Sequence, residues 1–191
     1  MRLGESHEFD AAHSAQINAE SIRTWTVVCS PMKRVAIFVD VQNIYYTTRQ
    51  AYASNFDYNA FWRRATAGRI VAKATAFAID RADEKQRLFQ NVLRGIGFEV
   101  KLKPYISRAD GASKGDWDVG ITIDVLDRAE HCDVVVLASG DGDFDLLVQH
   151  VRQRFSIDVE VYGVPQLTAG TLMDAASRFV AIDTALLLQT K

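Results

Sequence analysis

The sequence has few of the residues that mark several familiar classes of protein. Its 191 residues include only two cysteines, Cys29 and Cys132, which make neither a disulfide framework nor a zinc pattern. The net charge of −2 excludes a global basic field of the kind that attracts nucleic acid or membrane surfaces. No apolar run approaches the roughly 18 residues of a membrane-spanning helix, and the N-terminus lacks the apolar stretch of a signal peptide. We therefore expect a cytoplasmic protein without membrane contact, in which Cys132 is an ordinary core thiol.

Several catalytic motifs are missing as well. The chain contains no GxSxG elbow, no Ser-His-Asp arrangement, no phosphate loop of the form GxxxxGK[ST] and no GxGxxG fingerprint. With 48% hydrophobic residues, the chain can bury one good core, so it is most simply a single domain. Its function must then depend on other residues.

The first part of the chain differs from the rest. Residues 1–31 are mostly polar and show no clear hydrophobic period, whereas a globular pattern starts directly after Met32. We expect residues 1–32 to be a disordered tail or a mis-assigned start, and residues 33–191 to form the domain. Because His7 and His13 lie in the first segment, we give them little weight as ligands.

Apolar strands alternate with amphipathic helices through the rest of the chain. Val35–Val39 and Val134–Ala138 are uninterrupted apolar runs, typical of strands buried on both faces. Further strands are predicted over 70–79, 98–102 and 159–162, with helices between them. The helix predicted over 116–130 is apolar on more than one side, so we expect it to be well buried. This alternation predicts an α/β fold with a central, mainly parallel sheet and helices on both faces.

The most informative stretch is Ser139–Asp145, which reads SGDGDFD at the carboxyl end of a predicted central strand. Ligands bind at such strand ends in open α/β sheets. The two glycines let the backbone turn tightly, and three aspartates crowd carboxylates into the turn, which is unfavourable unless a cation neutralises them. Asp143 could merely cap the next helix. Asp141, which lies between the glycines, has no such structural role in our reading.

Asp40 follows the first predicted strand as Asp141 follows the later one. An aspartate in this position can also cap a helix or form a turn. Asn43, three residues on, offers an amide able to hold a phosphate oxygen or a metal-bound water. It could equally be a simple turn residue.

Asp116 and Asp118 open the next long helix, where acidic residues also complement the helix dipole. Asp124 points to a different part of that helix and is a secondary candidate. Lys114, just before the helix, could meet a phosphate oxygen or remain solvated. Three or four carboxylates at strand ends can hold one or two Mg²⁺ or Mn²⁺ ions, which activate water for in-line hydrolysis of a phosphodiester.

With these residues assembled, the sequence resembles the NYN domain family of PIN-like nucleases, in particular its LabA-like bacterial branch. The resemblance covers roughly residues 33–183. It rests on FVDVQNIY at 38–45, KGDWDVGITIDVLD at 114–127, SGDGDFDLLV at 139–148, VYGVP at 161–165 and FVAID at 179–183.

The resemblance implies a PIN-like three-layer α/β/α sandwich and Mg²⁺- or Mn²⁺-dependent endoribonuclease activity on RNA, which we expect to be single-stranded. The implied catalytic and metal-binding residues are Asp40, Asp118, Asp141 and Asp143, and Asn43 also matches a position of the family's motif. We predict Asn43, Ser139 and Lys114 as substrate-binding residues. Relatives that read Lys-Gly-x-Asp-Val have one residue fewer between Gly115 and Asp118. Either Asp116 or Asp118 could therefore face the metal, and we prefer Asp118 because Val119 follows it.

Two other functions are compatible with the sequence. A non-catalytic RNA-binding module would use basic residues, and two small clusters are present: Arg63, Arg64, Arg69 and Lys73, and Arg152 with Arg154. A haloacid-dehalogenase-like phosphatase also has an aspartate after its first strand, but it needs a second aspartate two residues later, where this chain has Gln42. The sequence leaves the oligomeric state open, a homodimer included.

Overall fold

The computed structural model describes residues 31–80, 83–104, 106–107, 113–114 and 116–189; of 106–107 and 113–114 only the backbone is described. All the elements below belong to the compact unit Met32–Lys191. The tail predicted for residues 1–32 lies, except for its last two residues, outside the described part of the chain.

Strands and helices alternate along the domain, as the sequence predicts. In chain order they are β1 (Arg34–Asp40), α1 (Val41–Tyr52), α2 (Tyr58–Thr66), β2 (Ile70–Asp80), α3 (Glu84–Ile96), β3 (Glu99–Pro104), β4 (Ile106–Ser107), β5 (Ser113–Lys114), α4 (Asp118–Ala129), β6 (Val134–Ala138), α5 (Asp145–Phe155), β7 (Asp158–Gly163), α6 (Gly170–Ala175) and β8 (Arg178–Ala181). Short 3₁₀ helices cover Gly142–Phe144, Pro165–Leu167 and Thr184–Leu186.

The central sheet has six strands in the order β3-β2-β1-β6-β7-β8, and every neighbouring pair is parallel. This confirms the predicted α/β class. The chain moves outward from β1 through β2 to β3 and then returns to the other side of β1 as β6. The strand order therefore reverses between β1 and β6, and ligand sites of open α/β sheets lie at such a point. Val39 pairs with Ala138, so the next residues of both strands leave the sheet at the same edge.

Two apolar cores lie on opposite faces of the sheet. Along β1, Val35, Ile37 and Val39 belong to one core, and Ala36 and Phe38 belong to the other. The first core includes buried side chains from α1, α2 and α3; the second includes side chains from α4, α5 and α6. Because successive residues of a strand point to opposite faces, an uninterrupted apolar strand can hold two helical layers. The result is the expected three-layer α/β/α sandwich.

Two element boundaries lie two residues from the predicted ones. β3 continues to Pro104, two residues beyond its predicted end. α4 begins at Asp118, not at Asp116, because Trp117 has φ −109° and ψ 8° and precedes the first helical turn. The prediction that this helix is well buried was wrong, since Val119 and Ile123 are 70% and 52% exposed. Among the described residues, no helix has the length and apolarity needed to cross a membrane.

Candidate functional site

Asp40 lies at the end of β1, where it also caps α1. Its Oδ1 accepts a hydrogen bond of 3.0 Å from the backbone N–H of Asn43, and the residue is only 8% exposed. Burial is the main cause that raises the pKa of this carboxyl to about 6; the hydrogen bond from the Asn43 N–H opposes the rise, and the negative charges of Asp118 and Asp141 add to it. Asp40 therefore caps a helix and also lies near other carboxylates, so both of the settings considered from the sequence are present.

Asp118 occupies the first turn of α4 and is partly buried. Burial is the main cause that raises the pKa of its carboxyl, followed by the charges of Asp116, Asp141 and Asp143, while Lys103 lowers it. Asp40 and Asp141 thus both interact electrostatically with Asp118. The carboxyl edge of the sheet brings together acidic residues from three distant parts of the sequence.

Trp117 holds the start of α4 against the sheet. Its indole Nε1 donates a hydrogen bond of 2.9 Å to the backbone oxygen of Ala78 on β2, and its ring centroid lies 5.3 Å from that of Phe77. Trp117 immediately precedes Asp118. The stretch between Gly115 and Asp118 is one residue longer than in relatives that read Lys-Gly-x-Asp-Val. Trp117 lies in this stretch and holds Asp118 beside the end of β2.

The turn after β6 is held by its own side chains. The Asp141 N–H donates to the Oγ of Ser139 at 3.2 Å, and the Asp141 Oδ1 accepts from the Asp143 N–H at 3.1 Å. Asp141 is thus the N-cap of the 3₁₀ helix Gly142–Phe144, so the view that it lacks a structural role was wrong. Ser139 is fully buried, and its Oγ stabilises the turn through this hydrogen bond. Asp143 is exposed.

Gly140 is required for close packing. Its φ is not positive, and a Cβ atom built on it would lie 2.9 Å from the backbone oxygen of Leu167 and 3.0 Å from the Oγ1 of Thr168. Its N–H donates to the Oδ1 of Asn43 at 2.9 Å, which joins the ends of β1 and β6. The expectation that the glycine serves a tight turn is therefore replaced by a requirement for space.

The remaining predicted residues lie in different settings. Asp116 is exposed, and its backbone oxygen accepts a hydrogen bond of 2.7 Å from Lys103 Nζ. Asp124 is paired with Lys101, with 2.6 Å between the Nζ and Oδ2 atoms, so it has a structural partner within the fold. Lys114 lies in β5, and its side chain is outside the description.

The acidic residues suit a hard divalent cation by their chemistry. Carboxylate oxygens are the ligands that Mg²⁺ and Mn²⁺ prefer. A bound cation would relieve the repulsion between carboxylates, which adds to the effect of burial in raising the pKa of Asp40 and Asp118. The side chains are not arranged as a closed coordination shell: within the described ranges, no group of three or more His, Cys, Asp or Glu residues could hold a metal ion. A cation would therefore have to draw these carboxylates together.

Lys103 was missed as a site residue, because the sequence indicated only that a strand ends there. Its Nζ lies 4.9 Å from the centroid of the Trp117 ring, and its charge lowers the pKa of Asp118. Lys101 and Lys103 are two residues apart on β3, so they share one face of the strand. Lys101 binds Asp124 within α4, and Lys103 binds the backbone oxygen of Asp116, two residues before that helix begins. The sequence signal for Lys103 was this alternation of lysines on β3, combined with the acidic residues in and before α4.

Two of the four residues of the larger basic cluster, Arg69 and Lys73, are engaged in ion pairs. Arg69 donates two hydrogen bonds, of 2.7 and 2.9 Å, to the carboxylate of the buried Glu160, and Lys73 pairs with Glu99. Arg69 directly precedes β2, so it lies at the amino end of the sheet, away from the acidic residues. The cluster therefore offers little free positive charge near the acidic edge.

Comparison with known proteins supports the sequence resemblance. The sequence model of the NYN domain family matches residues 34–183 of this chain. "Low amplitude and bright protein LabA" of Synechococcus elongatus is 28% identical over 160 residues, which cover 78% of this chain and 84% of that protein. A crystal structure of a Vibrio parahaemolyticus protein of unknown function is 58% identical, with a TM-score of 0.79; the match covers 82% of this chain and 97% of that one.

Proposed function

The chain belongs to the NYN domain family, and from this premise we propose that it is an endoribonuclease that needs Mg²⁺ or Mn²⁺. NYN domains form a family of PIN-like nucleases, so a nuclease or RNA-related role follows from membership. The proposal adds phosphodiester hydrolysis, a single-stranded RNA substrate and a cytoplasmic location.

One observation carries the proposal: Asp40 at the end of β1, Asp118 at the start of α4 and Asp141 after β6 meet at the carboxyl edge of the sheet, where the charges of Asp118 and Asp141 add to the effect of burial on the pKa of Asp40. Carboxylates held within electrostatic range at the switch point of a parallel sheet destabilise one another unless a cation is present. A divalent cation bound between these carboxylates would offset their repulsion. Cation binding would then compete with protonation of Asp40 below about pH 6.

Asp40, Asp118, Asp141 and Asp143 would hold the metal. When bound, a divalent ion of this kind activates water and stabilises the charge that develops on a phosphodiester. Other residues keep the acidic residues in place. Asn43 and Ser139 bind the backbone of Gly140 and Asp141, and Trp117 anchors the start of α4. Lys114 would contact a phosphate oxygen of the substrate.

The test is cleavage of labelled single-stranded RNA and DNA by the full chain in Mg²⁺, Mn²⁺ or EDTA. We expect RNA cleavage that needs the metal and is lost in Asp141→Asn and in Asp118→Asn. Asp124→Asn is the matched control, because Asp124 lies on the same helix but pairs with Lys101. Cleavage that survives in Asp118→Asn and Asp141→Asn would contradict the assignment of these residues.

A non-catalytic RNA-binding module is the second candidate. It is favoured by the finding that the described acidic residues form no ready metal-holding group. Binding of RNA without cleavage in any metal would support it. A haloacid-dehalogenase-like phosphatase is disfavoured, because Gln42 stands where its acid–base aspartate is needed. Formation of an aspartyl-phosphate at Asp40 would be the evidence for that enzyme.

A further inference from the structure

A cavity of about 560 Å³ lies beside the acidic edge, between α1, the start of α2 and α3. Val41 and Gln42, which line it, directly follow Asp40, and Ile79 at the end of β2 forms another part of its wall. Its volume is within the range of about 300–1,000 Å³ typical of small-molecule sites. The cavity thus opens next to the candidate site and extends away from the sheet.

The floor of the cavity is a rigid aromatic cluster. The ring of Tyr58 packs edge-on against Phe56, with centroids 5.0 Å apart, and against Phe89, with centroids 5.3 Å apart. Phe56 and Tyr58 are only 4% and 8% exposed, so their neighbours hold these two rings in place. Because Val41 and Gln42 also line the cavity and directly follow Asp40, a flat ligand in the cavity would lie close to the acidic edge.

Aromatic and amide side chains form the rim. Tyr45 and Tyr46 are 50% and 49% exposed, and their rings meet edge-to-face at a centroid distance of 5.4 Å. Amide side chains that can both donate and accept hydrogen bonds also line the cavity: Gln42, Asn55, Asn59 and Gln86. The charged residues in the lining are Lys85, Asp57 and Asp83, which together do not favour an anion.

We propose that this cavity binds a nucleobase of the RNA strand whose phosphodiester lies at the acidic edge, an inference that rests on the proposed function. Aromatic faces stack on any base, and amides read the donors and acceptors on its edges. A phosphate group would require several cationic side chains in the lining, and a lipid chain would leave the amide side chains without hydrogen-bond partners. Proteins that recognise single-stranded RNA use this combination of base stacking and contacts to the base edges.

The test measures base stacking separately from cleavage. RNA octamers carrying the fluorescent base 2-aminopurine at successive positions are titrated with the full chain in EDTA. We expect quenching at one or two positions, and about tenfold weaker binding in Tyr45→Ala, because stacking of one base contributes a factor of roughly 5 to 150 in affinity. Tyr45→Phe keeps the ring and should bind as the wild type does. Leu88→Ala is the control, since Leu88 is 60% exposed on α3 but does not line the cavity.

The outcomes separate this inference from the nuclease proposal. If the chain cleaves RNA while Tyr45→Ala binds within twofold of the wild type, the base site is overturned and the nuclease stands. If RNA is never cleaved but Tyr45→Ala loses quenching that Tyr45→Phe and Leu88→Ala retain, the base site is supported in a binding module. Equal weakening in Tyr45→Ala and Leu88→Ala would overturn the base site, because it would indicate a general surface effect. Thermal unfolding of each variant confirms that it is folded.

Discussion

The side chain of Asn43 and the backbone of Gly140, 97 residues apart in the chain, are joined by a hydrogen bond of 2.9 Å. Asn43 lies in the first turn of α1, and Gly140 follows β6 by two residues. The bond therefore connects the two strand ends that carry Asp40 and Asp141. A neutral amide makes this connection without adding charge to a site that already contains several carboxylates.

Replacing Asn43 by alanine should lower the free energy of unfolding by about 1–3 kcal/mol, because the N–H of the buried Gly140 loses its acceptor. Urea unfolding at neutral pH measures the change. Asn91→Ala is the matched control: the Oδ1 of Asn91 accepts a hydrogen bond from Arg94 on the exposed surface of α3. Equal losses in the two variants would contradict a special role for the Asn43–Gly140 bond.

Asp40 should make stability depend on pH in the absence of metal. Its pKa is about 6 in the folded chain and 3.8 as an ordinary carboxyl, so the folded state binds the proton more tightly. The resulting stabilisation is complete below about pH 3.8 and is lost as the pH rises through about 6, a difference on the order of 2–3 kcal/mol. In EDTA, the unfolding free energy of the wild type should therefore fall relative to that of Asp40→Asn between pH 4 and pH 7.

Asp57→Asn is the control for that experiment, because Asp57 also caps a helix, but it caps α2 and Asp40 caps α1. This variant should retain the pH dependence of the wild type. If Asp40→Asn instead showed the same pH dependence as the wild type, the raised pKa of Asp40 would not be the cause. Added Mg²⁺ should stabilise the wild type more at pH 8 than at pH 5.

Thr75 provides a prediction about the core. It is fully buried in β2, and its hydroxyl oxygen has no hydrogen-bond partner in the part of the chain that the structure describes. Thr75→Val removes this oxygen with little change in shape, so we expect stability to rise by about 1 kcal/mol. Thr48→Val is the contrasting variant: the Thr48 hydroxyl donates to the Ile44 oxygen at 2.7 Å, so its removal should not stabilise. Thermal unfolding distinguishes the two.

Gly163 at the end of β7 should not tolerate a side chain. A Cβ atom there would lie 2.3 Å from the Oγ1 of Thr168, which is buried and donates a hydrogen bond to the Val164 oxygen. Gly163→Ala should destabilise the fold by about 1–3 kcal/mol. Gly170→Ala, with open space around its Cβ position, should be close to neutral.

A double variant tests the cause of this effect. If the Thr168 side chain is the obstacle, Gly163→Ala combined with Thr168→Ala should cost less than the sum of the two single changes. Strict additivity of the unfolding free energies would show that Thr168 is not responsible.

The strands and the family could be predicted from the sequence because their signals are local. The apolar runs Val35–Val39 and Val134–Ala138 both became buried central strands, and each is followed by an aspartate or a short acidic turn, as expected. Patterns of a few neighbouring residues suffice for such features.

Features that depend on distant contacts could not be predicted in this way. Trp117 reaches Ala78, 39 residues away, and no periodic pattern announces that hydrogen bond. The capping role of Asp141 was missed because a three-residue 3₁₀ helix has no period to recognise. The aromatic cavity is assembled from three helices, so none of its segments is distinctive alone. The catalytic and metal-binding roles of the aspartates stay predictions.

The position of β1 between β2 and β6 has a consequence for synthesis of the chain. When a ribosome has released residues up to about 130, β1 can pair with β2, but its other edge is an open row of apolar residues and unpaired backbone groups. Asp40 and Asp118 are then already present, whereas Asp141 is not. The acidic site is completed only when β6 closes that edge, so the nascent chain passes through an aggregation-prone stage before any metal-binding site exists.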